Sequence, residues 1–156
     1  MSVAPAVVFA IGNPSRGDDA IGPLLAERLI DYLAEHDPSG ETIEVIIDQQ
    51  LVVEHVLDLV GRSEALFVDA AARAAEPVSL AALEPAGQAV LMSHSVSPAS
   101  LLRLFQEHVG SAPPPAELLA VVGDGFELGE PLSVAAQARL EQAWLMLQAW
   151  ADAVLA

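Results

Sequence analysis

The chain has 156 residues, 53% of them hydrophobic, so it can bury one sizeable core as a single domain spanning residues 1–156. Its only Lys or Arg residues are six arginines, set against 22 Asp and Glu for a net charge of −16, which excludes a phosphate backbone or an anionic bilayer as a favoured partner. It has no cysteine, which removes disulfides, a thiolate nucleophile and any Cys-based zinc or iron-sulfur site.

In chain order, Val7 to Ile11 is a continuous apolar run, the pattern of a strand covered on both faces of a parallel sheet. It opens into Gly12-Asn13-Pro14-Ser15-Arg16-Gly17-Asp18-Asp19-Ala20-Ile21-Gly22-Pro23, which reads as the turn between a buried strand and a helix. Ile21, Leu24, Leu25, Leu29 and Leu33 recur at helical spacing until the break at Asp37-Pro38-Ser39-Gly40, with Asp18 placed to cap the helix. Capping and the helix dipole favour an acid there by about 0.5–2 kcal/mol, which accounts for one carboxylate but not for two adjacent ones. Gly12 to Gly17 has the spacing of a phosphate loop, but Asp18 stands where such a loop needs Lys.

Ile43 to Asp48 is the second strand, followed by the loop Gln49 to Leu51 and a short helix over Val52 to Val60, with Val53, Val56, Leu57 and Val60 on its apolar face. Glu54 and His55 on this helix read as solvated side chains. Leu66 to Ala70 is the third strand and carries Asp69 near its carboxyl end. A strand-helix-strand-helix-strand order places the first strand between the second and third, so the loop bearing Asp19 and the tip bearing Asp69 open into one crevice.

Ala71 to Pro85 reads as a crossover containing a small strand at Val78-Ser79-Leu80, and Gln88 to Met92 as a further strand ending in Ser93-His94-Ser95. Ser97 and Pro98 start a helix that runs towards His108 and Gly110. Leu118 to Val122 is the last strand, followed by an acidic loop from Gly123 to Pro131. Ser133 caps a long terminal helix with Leu140, Trp144, Leu147, Ala151 and Val154 turned to the sheet. The expected fold is therefore α/β, a three-layer sandwich with a mostly parallel twisted sheet of about five strands and helices on both faces.

Three strand ends present Asp19, Asp69 and His94 towards one edge. Two carboxylates and an imidazole make an open site for a borderline metal such as nickel or zinc. Without a cation, two close carboxylates repel and one tends to hold a proton.

The sequence resembles the hydrogenase maturation endopeptidases in four ordered motifs: GNPxxGDDxxGP after the first strand, FVDAA at the third, S-H-x-x-S-P-x-x-L-L from Ser93, and G-x-x-F-E-x-G-E from Gly123. That resemblance implies an endopeptidase that removes the C-terminal extension from the large-subunit precursor of a nickel-iron hydrogenase. It also implies that the nickel is carried by the substrate and that the enzyme has no tightly bound cofactor of its own. By position, the metal ligands it implies are Asp19, Asp69 and His94, with Asp18 as the alternative first ligand, since well-known members have Glu there. Two other readings use the same residues: a hydrolase with its own zinc, and a noncatalytic chaperone of the large subunit. Gln49 to Leu51 and Phe126 to Glu130 are candidate walls for the peptide. The N-terminus has neither a basic region nor an apolar run long enough for a signal, so a cytoplasmic protein is expected, and its size suggests a monomer.

Overall fold

The computed structural model describes residues 2–87 and 96–156. Five strands form one sheet: β1 (Ala6–Ile11), β2 (Ile43–Asp48), β3 (Glu64–Ala71), β4 (Val78–Leu83) and β5 (Ala116–Val122). Their spatial order is β2-β1-β3-β5-β4, with every pairing parallel except that of β4 with β5. Every residue of β1 is buried, as its unbroken apolar run requires at the centre of a sheet covered on both sides.

Alternate residues of β1 serve opposite layers. Ala6, Val8 and Ala10 face helices α1 (Ile21–His36) and α3 (Val134–Leu155), packing with Leu25, Leu29, Leu147 and Trp150. Val7, Phe9 and Ile11 face α2 (Pro98–Val109) and a 3-10 helix at Val53–Leu59, packing with Leu59, Leu101 and Phe105. In this second layer Phe9 stacks on its cross-strand partner Phe67, with centroids 4.9 Å apart and planes within 10° of parallel. The result is the expected three-layer α/β sandwich.

Two helix starts follow the sequence reading. Ser97 Oγ accepts the amide of Ser100 at 3.1 Å with Pro98 in the first turn of α2, and Ser133 Oγ accepts the amide of Ala136 at 3.1 Å at the head of α3.

The small strand expected at Val78-Ser79-Leu80 is present and continues to Leu83, forming the antiparallel edge of the sheet. Two expectations are corrected. Val52 to Val60 is not an α-helix but mainly 3-10, with three residues per turn, so the expected α-face fails. His55, Val56 and Leu59 are buried there, whereas Val53, Leu57 and Val60 are exposed. Asp18 caps no helix: it lies in a 3-10 turn at Gly17–Ala20 that precedes α1, and α1 has no side-chain cap. The expected strand Gln88 to Met92 and the residue His94 lie outside the described residues.

Among the described residues, no helix is long and apolar enough to cross a membrane.

Candidate active site

The register of the sheet sets the site. Ile11, the last residue of β1, is paired with Asp48 on β2 and with Asp69 on β3, so the two acids bracket it at the carboxyl edge. With one strand between them, their backbones are about two strand spacings apart, roughly 10 Å. β1 is where the chain turns outwards to β2 on one side and to β3 on the other. This is the switch point at which doubly wound sheets open a crevice.

The loop leaving β1 crosses this point under tight constraint. Gly12 has φ +152°, and a Cβ there would lie 1.9 Å from the carbonyl oxygen of Asp19. Its amide donates to the carbonyl of Asp48 at 3.0 Å, which fastens the loop to β2. At Gly22 a Cβ would lie 2.3 Å from the carbonyl oxygen of Ile11, so α1 can approach β1 only because this residue has no side chain. The two glycines fold the chain back on itself and return Asp19 to the strand ends.

Asp18 and Asp19 then diverge. Asp18 is fully buried, and its carboxylate accepts the amides of Asp124 at 2.7 Å, Gly125 at 3.3 Å and Ser133 at 2.7 Å, together with the Ser133 hydroxyl at 2.7 Å. Burial works against its charge, but the hydrogen bonds from Ser133, Asp124 and Gly125 outweigh it and hold the carboxyl below the ordinary range. With its oxygens engaged by the acidic loop and the head of α3, Asp18 has no coordination to offer a ligand.

Asp19 is half-buried, and among the described residues its carboxylate takes one hydrogen bond, from the Asn13 amide, which donates to Oδ2 at 2.7 Å. Asn13 is braced in turn, its Oδ1 accepting the Ser15 amide at 2.9 Å. Asp19 therefore faces an open cleft of about 760 Å³ that it lines with Asn13 and Arg16 from its own loop and with Asp48, Gln49 and Gln50 from the end of β2.

Asp69 completes the pair. Burial, and secondly the charge of Asp19, push its carboxyl up to about 7, against a smaller opposing effect of the Ala70 amide. The structure thus brings Asp19 and Asp69 within electrostatic reach, and the conflict expected of two such carboxylates falls on Asp69. A divalent cation would displace its proton and relieve the conflict. Among the described residues no group of three or more His, Cys, Asp or Glu side chains is arranged to hold a metal ion.

Two residues of this region escaped the sequence reading. Asp48 ends β2 and forms part of the cleft wall, a role signalled only by its place at the carboxyl end of an apolar strand. His55 is not solvated. It is 6% exposed and packs edge-on against Phe9 at 5.9 Å, while its Nδ1 accepts the Val52 amide at 2.9 Å and its Nε2 lies 3.3 Å from Asp48 Oδ2. An Nδ1 that accepts leaves the proton on Nε2, the nitrogen that faces Asp48.

The expected walls divide. Gln49 and Gln50 do line the cleft, but Leu51 is buried in the apolar layer. The loop from Phe126 to Glu130 is not part of that lining; it braces the Asp19 loop, with Gly17 donating to the Glu130 carbonyl at 3.2 Å and Gly129 to the Ser15 carbonyl at 2.8 Å.

Fold and site together define an α/β protein of the doubly wound type with an acidic crevice at its switch point. No family model matches the sequence, and no curated protein sequence matches it. Solved structures do match, and the fold is that of hydrogenase maturation endopeptidases. The structure is similar to the hydrogenase maturating endopeptidase HybD from E. coli, with a TM-score of 0.66 and 21% identity over 96% of this chain and 91% of that one. It is equally similar to the [NiFe] hydrogenase maturation protease HycI from Thermococcus kodakarensis, with a TM-score of 0.66 and 21% identity over 92% of this chain and 90% of that one. The hydrogenase 2 maturation peptidase from Thaumarchaeota archaeon SCGC_AB-539-E09 matches with a TM-score of 0.62 and 22% identity over 93% of this chain and 97% of that one.

Proposed function

We propose that the protein is an endopeptidase that removes the C-terminal extension from the nickel-loaded large-subunit precursor of a nickel-iron hydrogenase. The observation that carries this reading is the pairing of Asp19 with Asp69, the latter pushed up to about 7, at the switch point of a fold shared with solved maturation endopeptidases. Three of the four sequence motifs lie wholly on described residues, as the Asp19 loop after β1, Asp69 on β3 and the loop that braces the first motif, and the Ser97-Pro98 part of the remaining one starts α2.

In this reading the nickel belongs to the substrate. Asp19 and Asp69 grip it, and His94 is the third ligand that the motif resemblance assigns. Val96, two positions after His94 in the sequence, donates its amide to the Leu51 carbonyl at 3.0 Å, beside the cleft wall. Binding a cation releases the proton that Asp69 holds, and that carboxylate can then serve as ligand or assist as general base. The gripped metal would polarise the scissile carbonyl or acidify a bound water. The commitment of Asp18 to Asp124, Gly125 and Ser133 supports Asp19 over Asp18 as the first ligand in this reading. The enzyme needs no resident cofactor and works as a monomer in the cytoplasm.

Intact-mass analysis of the precursor after incubation with the protein tests this. Loss of the tail from the nickel-loaded precursor alone is the expected result. Cleavage of neither form by a protein that carries stoichiometric zinc would replace it with an independent metallohydrolase, and retention of the precursor without cleavage would indicate a chaperone.

A further inference from the structure

Arg16 occupies an unusual position for a cation in this chain. Four of the six arginines are spent on ion pairs, Arg28 with Glu141, Arg62 with Glu44, Arg103 with Glu107 and Arg139 with Asp124. Arg16 lines the same cleft as Asp19 and Asp48, yet among the described residues it forms an ion pair with neither. In a chain carrying 22 acids, a cleft-lining guanidinium left without a carboxylate is available to one that arrives with a ligand.

The backbone that carries Arg16 is fixed. Its amide donates to the Asn13 carbonyl at 3.1 Å, and its carbonyl accepts the Asp19 amide at 3.0 Å. The neighbouring positions Ser15 and Gly17 are tied to Gly129 and Glu130 across the braced loop. The side chain is exposed and therefore free to swing over the mouth of the cleft, on a base held in register with Asp19. Apart from the apolar Val52, the remainder of the lining is polar or acidic: Asn13, Asp19, Asp48, Gln49 and Gln50 can hydrogen-bond a peptide, but none can neutralise an anion.

We infer that Arg16 is a specificity-determining residue, which reads a carboxylate on the peptide lying in the cleft. The carboxylate is either an acidic side chain of the extension or its free C-terminus, both of which offer two oxygens to the guanidinium fork. The inference rests on the endopeptidase reading for the identity of that peptide. It adds that the cleft rejects extensions that cannot supply an anion at the Arg16 position, since they meet Asp19 and Asp48 without compensation.

Fluorescence anisotropy with a fluorescein-labelled peptide of the precursor's C-terminal extension tests this without requiring cleavage. Arg16→Gln should weaken binding about tenfold, the worth of one charge-assisted pair at a partly exposed site, and Arg16→Lys should recover part of the loss. Replacing the peptide's acidic side chains by amides in one probe, and amidating its terminus in another, identifies the source: the modification that makes wild type and Arg16→Gln bind alike has removed the carboxylate that Arg16 reads. Absence of binding by wild type, equal binding of the unmodified peptide by both proteins, or a loss that persists when both kinds of carboxylate are gone would overturn the inference. Processing of the nickel-loaded precursor is scored separately. An uncleaved precursor with the anisotropy pattern intact removes the endopeptidase reading and leaves the Arg16 assignment standing, and cleavage without the pattern does the reverse.

Discussion

Asp18 and Ser133, 115 positions apart in the chain, are joined twice: the carboxylate accepts both the amide and the hydroxyl of Ser133, each at 2.7 Å. The same hydroxyl oxygen accepts the Ala136 amide and caps α3, so one serine ties the loop after β1 to the start of the terminal helix. Asp18 is thus the structural member of the acid pair, and Asp19 is the member left facing the cleft.

Asp18→Ala should therefore lower stability by roughly 3–5 kcal/mol, because it leaves several buried donors without an acceptor. Asp18→Asn, which keeps one acceptor oxygen but loses the charge, should cost less. Urea unfolding of the three proteins measures this. Since hydrogen bonding holds the Asp18 carboxyl below its ordinary value of 3.8, its contribution is fully present above that pH and is lost as the pH falls through its folded-state value. The deficit of Asp18→Ala relative to wild type should accordingly narrow in strong acid.

Asp69 works in the opposite sense. Its carboxyl sits at about 7 in the fold against 3.8 ordinarily, so between those values the folded state binds more protons than the unfolded one, and stability falls as pH rises across the window. Asp69→Asn should be more stable than wild type at pH 8 by about 1–3 kcal/mol, with the gain vanishing near pH 4. Thermal unfolding at the two pH values checks it. A variant that is better folded but unable to process the precursor would mark Asp69 as a residue kept for function at a cost in stability.

Gly22→Ala should destabilise by about 3 kcal/mol or more, since the added methyl meets the Ile11 backbone at 2.3 Å and α1 must move off β1 to admit it. The same displacement carries the Asp19 loop with it, so processing should fall along with the denaturation midpoint. Gly40→Ala is the comparison for backbone strain without crowding, because a Cβ at Gly40 meets nothing within 4 Å while its φ of +69° still penalises any side chain.

The parts of this architecture legible in sequence are those governed by unbroken local patterns. The apolar run of β1 announced a central strand, and the alternation of strands and helices was enough to place β1 between β2 and β3 and to bring the Asp19 loop towards Asp69. Ser97 and Ser133 were readable as caps because capping is a local interaction. What stayed hidden depended on distant partners. Nothing near Asp18 in sequence shows that its acceptors will be filled by Asp124, Gly125 and Ser133, so it was read as a helix cap. His55 was read as solvated because nothing in the sequence pairs it with a partner at i+3 or i+4; the 3-10 geometry and the packing of Phe9 turn it in. Arg16 and Asp48 carried no motif signal, and only the cleft that they share draws attention to them.

The most direct test of the central claim is intact-mass analysis of the nickel-loaded large-subunit precursor after incubation with wild type, Asp19→Asn or Asp69→Asn, with circular dichroism to confirm that each variant is folded. The account predicts complete loss of the C-terminal extension with wild type and an uncut precursor with either folded variant. Normal processing by Asp19→Asn or Asp69→Asn would contradict it.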